Sequence, residues 1–219
     1  MRGAIFLSVF VLISGCTATR AHGLRAGSTR EAALALRDDV PDYQKGFTAQ
    51  FTVPRLRENY DAYWYFTQSR ESDQRTAFIK ALDQATRTYD TVDVFFLAHT
   101  NRFIDWVAVL PADQRRKIRL VYDTGCGDAK LASEWLDLGV HSFVGHGDEN
   151  IAPVFYVSFL PAWLDGVGAD EAVARANKAM ESRLRNPFGR LILAAGDGRD
   201  PEQVISLTRG HHFTRDLTH

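Results

Sequence analysis

Cysteine occurs only twice in this chain of 219 residues, at positions 16 and 126, so no disulfide framework can hold it together. Long apolar runs are missing as well. Residues 4–13 are apolar but for Ser8, and this stretch falls far short of the about 20 residues that span a bilayer. Charge of one sign is also lacking. With 26 Lys and Arg against 27 Asp and Glu, and no Lys/Arg run, there is no electrostatic case for a nucleic-acid partner. No G-x-S-x-G elbow is present, which argues against a serine hydrolase of the α/β type. No G-x-G-x-x-G or P-loop appears, so no nucleotide cofactor is indicated. His99, His146 and Asp148 are not joined by any close His spacing such as H-x-x-x-H, and no metal site is expected. Internal repeats and low-complexity tracts are absent.

What is present begins at the N-terminus, which must be set aside from the fold. Arg2 supplies a positive start, residues 4–13 an apolar stretch, and Ile13-Ser14-Gly15-Cys16 small residues before a cysteine. This resembles the lipobox of bacterial lipoproteins, which is cleaved before a lipidated cysteine. The resemblance implies a signal peptide over 1–15 and a mature chain that starts at an acylated Cys16. Two or more acyl chains give stable anchoring. Thr17, rather than Asp, follows the cysteine, which in lipoproteins implies the outer membrane of a bacterial envelope. An ordinary secretory signal with an incidental Cys16 is the alternative.

Residues 16–45 read as a tether with a short helix around 31–37, and residues 46–219 as one α/β domain. Alternation over 47–53 predicts a strand, while 55–66 fits no single period. Residues 74–89 predict a helix with Phe78, Ile79, Leu82, Ala85 and Tyr89 on one face. Near-continuous apolar runs at 92–98, 118–122 and 140–144 predict strands covered on both faces. Helices are expected over 129–138, 153–164 and 169–184, the last with Ala172, Val173, Ala176, Met180 and Leu184 on its apolar face. Residues 191–195 read as a further strand. Strands alternating with helices predict a mostly parallel sheet flanked by helices.

Chemistry in such sheets sits outside the C-terminal strand ends. Residues 94–98 run into His99, and residues 120–122 into Asp123-Thr124-Gly125-Cys126-Gly127-Asp128. On neighbouring strands, His99 and Cys126 would stand side by side. A thiol needs a nearby base to become a thiolate, and an imidazole supplies one. Gly125 and Gly127 would permit a tight turn and a close substrate. His146, between glycines after another strand, reads as an exposed histidine of a glycine-rich loop or as a rim residue of the substrate cleft. His211, His212 and His219 are expected to be solvated.

A hydrophobic strand ending in His, followed by one ending in an acidic-small-Cys segment, resembles the caspase-like fold of clan CD cysteine peptidases. That group contains caspases, gingipains, legumains, separases and CHAT domains. The stretch after Cys126 is similar to CHAT domains in texture, from Leu138-Gly139-Val140 through Phe143-Val144-Gly145 to Ala176-Asn177. The resemblance covers residues 75–185 and implies a three-layer sandwich with Cys126 as nucleophile and His99 as base. It implies an oxyanion site from backbone N–H groups around Thr100 and Gly125, and a peptide or protein substrate. Thr100 stands where most relatives have Gly. Asp123, Asp128, Asp148 and Glu149 leave strand ends, and a carboxylate at a pocket floor would favour Arg or Lys at P1. A noncatalytic caspase-like lipoprotein that binds a protein or peptide is the alternative.

Overall fold

The computed structural model describes residues 29–38, 42–69, 72–99, 103–147, 152–196 and 199–214. Cys16, the signal peptide, Thr100, Asp148, Glu149 and His219 lie outside the described residues. In chain order the elements are β1 (Glu31–Arg37), α1 (Asp42–Asn59), β2 (Ala62–Thr67), α2 (Arg75–Thr88) and β3 (Thr91–Leu97). Two short helices, α3 (Ile104–Ala108) and α4 (Ala112–Arg115), lead to β4 (Ile118–Asp123). A 3-10 turn (Asp128–Leu131), α5 (Ala132–Asp137) and β5 (Ser142–His146) follow. The last described elements are α6 (Ala152–Leu164), α7 (Ala169–Arg185), α8 (Pro187–Gly196), α9 (Pro201–Thr208) and β6 (Gly210–Thr214).

Among the described residues, six strands form one sheet in the order β2-β1-β3-β4-β5-β6. All neighbours are parallel except β6, which runs antiparallel to β5. The expected α/β architecture, a mostly parallel sheet flanked by helices, is observed. Alternate strand residues feed two cores. Ala33, Ala35, Phe95, Leu97, Leu120 and Tyr122 pack on the side of α1, α6, α7 and α9. Leu34, Leu36, Val94, Phe96 and Val121 pack on the side of α2, α3 and α5. The apolar face expected for α7 is buried as read.

Three elements differ from their sequence reading. Residues 31–37 are not a helix in a tether; they form β1, buried between β2 and β3. Its Ala-Leu pattern has helical propensity, but pairing on both edges overrides propensity. The α/β fold therefore begins by Glu31, well before residue 46. Residues 47–53 belong to α1 rather than to a strand. The α1 face against the sheet carries Thr48, Thr52 and Leu56, spaced four apart, and its threonines hid the helical period. Thr52 Oγ1 shares a 3.0 Å hydrogen bond with the Tyr156 hydroxyl, which makes its burial tolerable. Residues 191–195 lie in α8, opened by Pro187 at its first position. An apolar run of five residues has no period that separates helix from strand.

Candidate active site

β3 and β4 are neighbours, with Phe96 opposite Asp123 as the last paired residues. His99 and Cys126 each lie three residues further on, so the register carries both to the C-terminal edge of the sheet. Both are exposed, and Cys126 is a free thiol. Thr124 joins the two strand ends. Its N–H donates to the Phe96 carbonyl at 2.9 Å. Its hydroxyl accepts from the Ala98 N–H at 2.8 Å and donates to the Ala98 carbonyl at 3.0 Å.

The segment that carries Cys126 is shaped from below. Asp123 is fully buried, and its Oδ1 accepts the Gly125 N–H at 3.0 Å. Asp128, also fully buried, sits so close to Gly125 that a Cβ there would lie 2.0 Å from its Oδ2. Glycine at 125 thus makes room for a carboxyl group. Burial, and after it the neighbouring Asp128, pushes the Asp123 carboxyl well above the usual carboxylate range. Two carboxyl groups this close, with no accessible surface, oppose each other's ionisation. Gly127 turns the chain with a φ of 76°, and its N–H donates to the Gly147 carbonyl beyond β5.

Several expected roles are corrected by this geometry. The Gly125 N–H is committed to Asp123 and does not serve an oxyanion. Asp123 and Asp128 support the loop from inside and line no open pocket, because neither has accessible surface. His146 is not a rim residue. It is the last residue of β5 and is fully buried. Its Nδ1 bonds the Thr208 carbonyl at 3.1 Å, and its Nε2 meets the Tyr122 hydroxyl at 3.2 Å. A carbonyl only accepts, so Nδ1 carries the proton and Nε2 accepts from Tyr122. Burial lowers its pKa to about 4, despite the Thr208 bond that pulls it upward. His212 is not simply solvated either: its Nδ1 lies 2.7 Å from Asp170 Oδ1.

Sequence reading missed the β1 end of this edge. Arg37 is buried and donates from Nη1 to the Leu97 carbonyl at 2.7 Å. The Asp38 N–H reaches the same carbonyl at 3.3 Å, and Gln68 Nε2 donates to Asp38 Oδ1 at 3.2 Å. Burial lowers the Arg37 pKa, with Tyr65 and Asp38 opposing that effect. The signal was an Arg-Asp pair closing an apolar stretch, obscured because residues 16–45 read as tether.

The opposite end of the sheet holds a cavity of about 340 Å³ lined by Glu31, Tyr60, Arg119 and Trp163 among others. The register slips between Val92 and Asp93, leaving Arg119 as an extra residue on β4. Its guanidinium binds Glu31 at 2.8 and 2.9 Å and Asp93 at 3.0 and 2.6 Å. Tyr60 and Trp163 donate to the same buried Asp93 at 2.6 and 2.9 Å. Burial alone would lower the Arg119 pKa, but Asp93 and Glu31 outweigh it and raise it. These groups satisfy one another and form a structural network.

Among the described residues, no group of three or more His, Cys, Asp and Glu side chains is arranged to hold a metal ion. Nor is any described helix long and apolar enough to cross a membrane. Comparison with protein-family models and with curated proteins finds no match to this chain.

Proposed function

We propose that this chain is a lipid-anchored cysteine-type endopeptidase of the caspase-like kind, with a Cys126/His99 dyad. The observation that carries the reading is the placement of an exposed thiol and an exposed imidazole, equally far beyond the paired ends of adjacent parallel strands. The resemblance to clan CD peptidases calls for the same order of a strand ending in His and a strand leading to Cys. The C-terminal strand edge is also where open α/β sheets hold their ligands.

In this mechanism His99 takes the proton of the Cys126 thiol, and the thiolate attacks the carbonyl carbon of a peptide bond. The tetrahedral oxyanion is held by the N–H of Cys126 and the N–H that follows His99, at Thr100. Each such donor is worth about 3–4 kcal/mol of barrier. His99 returns the proton to the departing amine, leaving an acyl-thioester. Water, deprotonated by His99, then releases the acid and restores the thiol. Acyl chains on Cys16 would hold the enzyme at the bacterial outer membrane.

A thiol-reactive peptidyl probe tests the reading on the full chain. Wild type labels at Cys126, Cys126→Ala does not, and His99→Ala labels at least about 10²-fold more slowly near neutral pH. Equal labelling rates for wild type and His99→Ala across pH 5–9 would overturn it. Retained peptide binding with neither labelling nor cleavage would leave a noncatalytic binding domain. Metabolic labelling with a fatty-acid analogue tests the anchor: Cys16→Ser removes the label, and an unlabelled wild-type chain rules the anchor out.

A further inference from the structure

We infer that Thr124 is a positioning residue, which sets the separation of Cys126 and His99 and frees the Cys126 N–H from the sheet. The inference rests on the dyad proposed above. Phe96 and Asp123 are the last paired residues, and the Thr124 N–H makes the last regular bond, to the Phe96 carbonyl. In a parallel ladder the next two bonds would run from the Ala98 N–H to the Thr124 carbonyl, and from the Cys126 N–H to the Ala98 carbonyl. Both are replaced. The Thr124 hydroxyl takes the Ala98 N–H at 2.8 Å and gives its own proton to the Ala98 carbonyl at 3.0 Å.

One hydroxyl, one donor with two acceptor sites, can make both bonds at once. Two consequences follow. Ala98 is held to β4 through both of its backbone groups, and His99 is the next residue. The Ala98 carbonyl takes the Thr124 hydroxyl, and the Cys126 N–H that a regular ladder would send to it makes no backbone bond there, so that N–H is not held along the sheet. An oxyanion donor must be aimed at the reacting oxygen instead. Thr124 is itself buried, with 3% exposure, so it acts through its neighbours and not on substrate.

The experiment compares Thr124→Val, which keeps the shape but loses the hydroxyl, with Thr124→Ser, which keeps the hydroxyl. Thr124→Ala, which leaves room for a water, serves as the second hydroxyl-free variant if valine prevents folding. Three readouts are taken on the full chain: kcat and KM for a peptide substrate, the pH profile of Cys126 alkylation by iodoacetamide, and amide exchange at Ala98. Loss of the hydroxyl is expected to lower kcat about 10–100-fold with KM changed less than about threefold, the scale of a small misplacement of catalytic groups. The alkylation profile moves toward that of His99→Ala, and Ala98 loses exchange protection. Serine restores all three. A folded hydroxyl-free variant with the wild-type profile and kcat overturns the proposal, as does a serine variant impaired as badly as valine. If wild-type alkylation shows no dependence on His99, the peptidase reading falls. Ala98 exchange then still judges the clamp, and unchanged protection in Thr124→Val overturns it.

Discussion

Asn177 holds both backbone polar groups of Gly210. Its Nδ2 donates to the Gly210 carbonyl at 2.9 Å, and its Oδ1 accepts the Gly210 N–H at 2.9 Å. A single side chain on α7 thereby docks the start of β6, the antiparallel edge strand. Gly210 must be glycine, because a Cβ would lie 2.4 Å from the Phe155 ring. Asn177→Ala should cost about 2 kcal/mol, from two bonds worth about 1 kcal/mol each. Urea denaturation measures the loss, and amide exchange should show it first in β6.

His146 makes stability depend on acid. Its folded pKa of about 4 lies below the ordinary value of 6.5, so the unfolded chain binds the proton first. Stability from this group is complete above pH 6.5 and is lost as pH falls toward 4, by roughly 3 kcal/mol. Asp123 works in the opposite direction, so the informative quantity is the difference between wild type and His146→Gln. Denaturation at a series of pH values should show wild type losing its advantage over the variant across this window. Parallel stability curves for the two proteins would contradict the assignment.

Asp128→Asn tests the buried carboxyl pair. Asp123 has a raised folded pKa, so its proton is held by the folded chain when the unfolded chain has released it. The resulting strain is absent below the unfolded pKa and grows as pH rises. Replacing one carboxyl by an amide of the same shape removes the like charge that opposes ionisation of Asp123. The variant should be more stable than wild type at pH 8, by on the order of 1–2 kcal/mol, and equal to it near pH 3. Calorimetry at the two pH values decides it.

Arg119→Met should destabilise the fold. Asp93 is fully buried, and Arg119 is the cation that compensates it. Breaking a buried pair from one side costs about 3–5 kcal/mol. Tyr60 and Trp163 still donate to Asp93, which places the expected loss near the lower end, about 3 kcal/mol. A loss below about 1 kcal/mol by urea denaturation would mean that the two neutral donors suffice.

Much of the sheet was legible because its inner strands are apolar on both faces. β3 and β4 announce themselves as short runs without charge apart from Asp93, Arg119 and Asp123. α2 and α7 were legible for the complementary reason: one face is apolar and the other polar at helical spacing. β1 was not, because alanine and leucine serve helix and buried strand alike, and only pairing on both edges decides between them. α1 was obscured by threonines on its inner face, which are acceptable there because Thr52 finds Tyr156. The misreading of β1 hid Arg37 and Asp38, so one side of the candidate site went unseen.

The sequence by itself determined where reactive groups meet strand ends, since the alternation of apolar runs and polar turns is local. It placed His99 and Cys126 at two such ends and left their strands to be shown adjacent. Which carboxyl or imidazole is open and which is sealed is a property of what packs over it, and that was decided by tertiary structure alone. His99 and His146 both follow apolar strand residues, yet Phe155, Tyr122 and Thr208 bury one and leave it neutral, while the other reaches solvent. Asp123 and Asp128 look like surface acids in a glycine-rich loop. The fold brings them together beneath Gly125, where burial and mutual repulsion raise the Asp123 pKa.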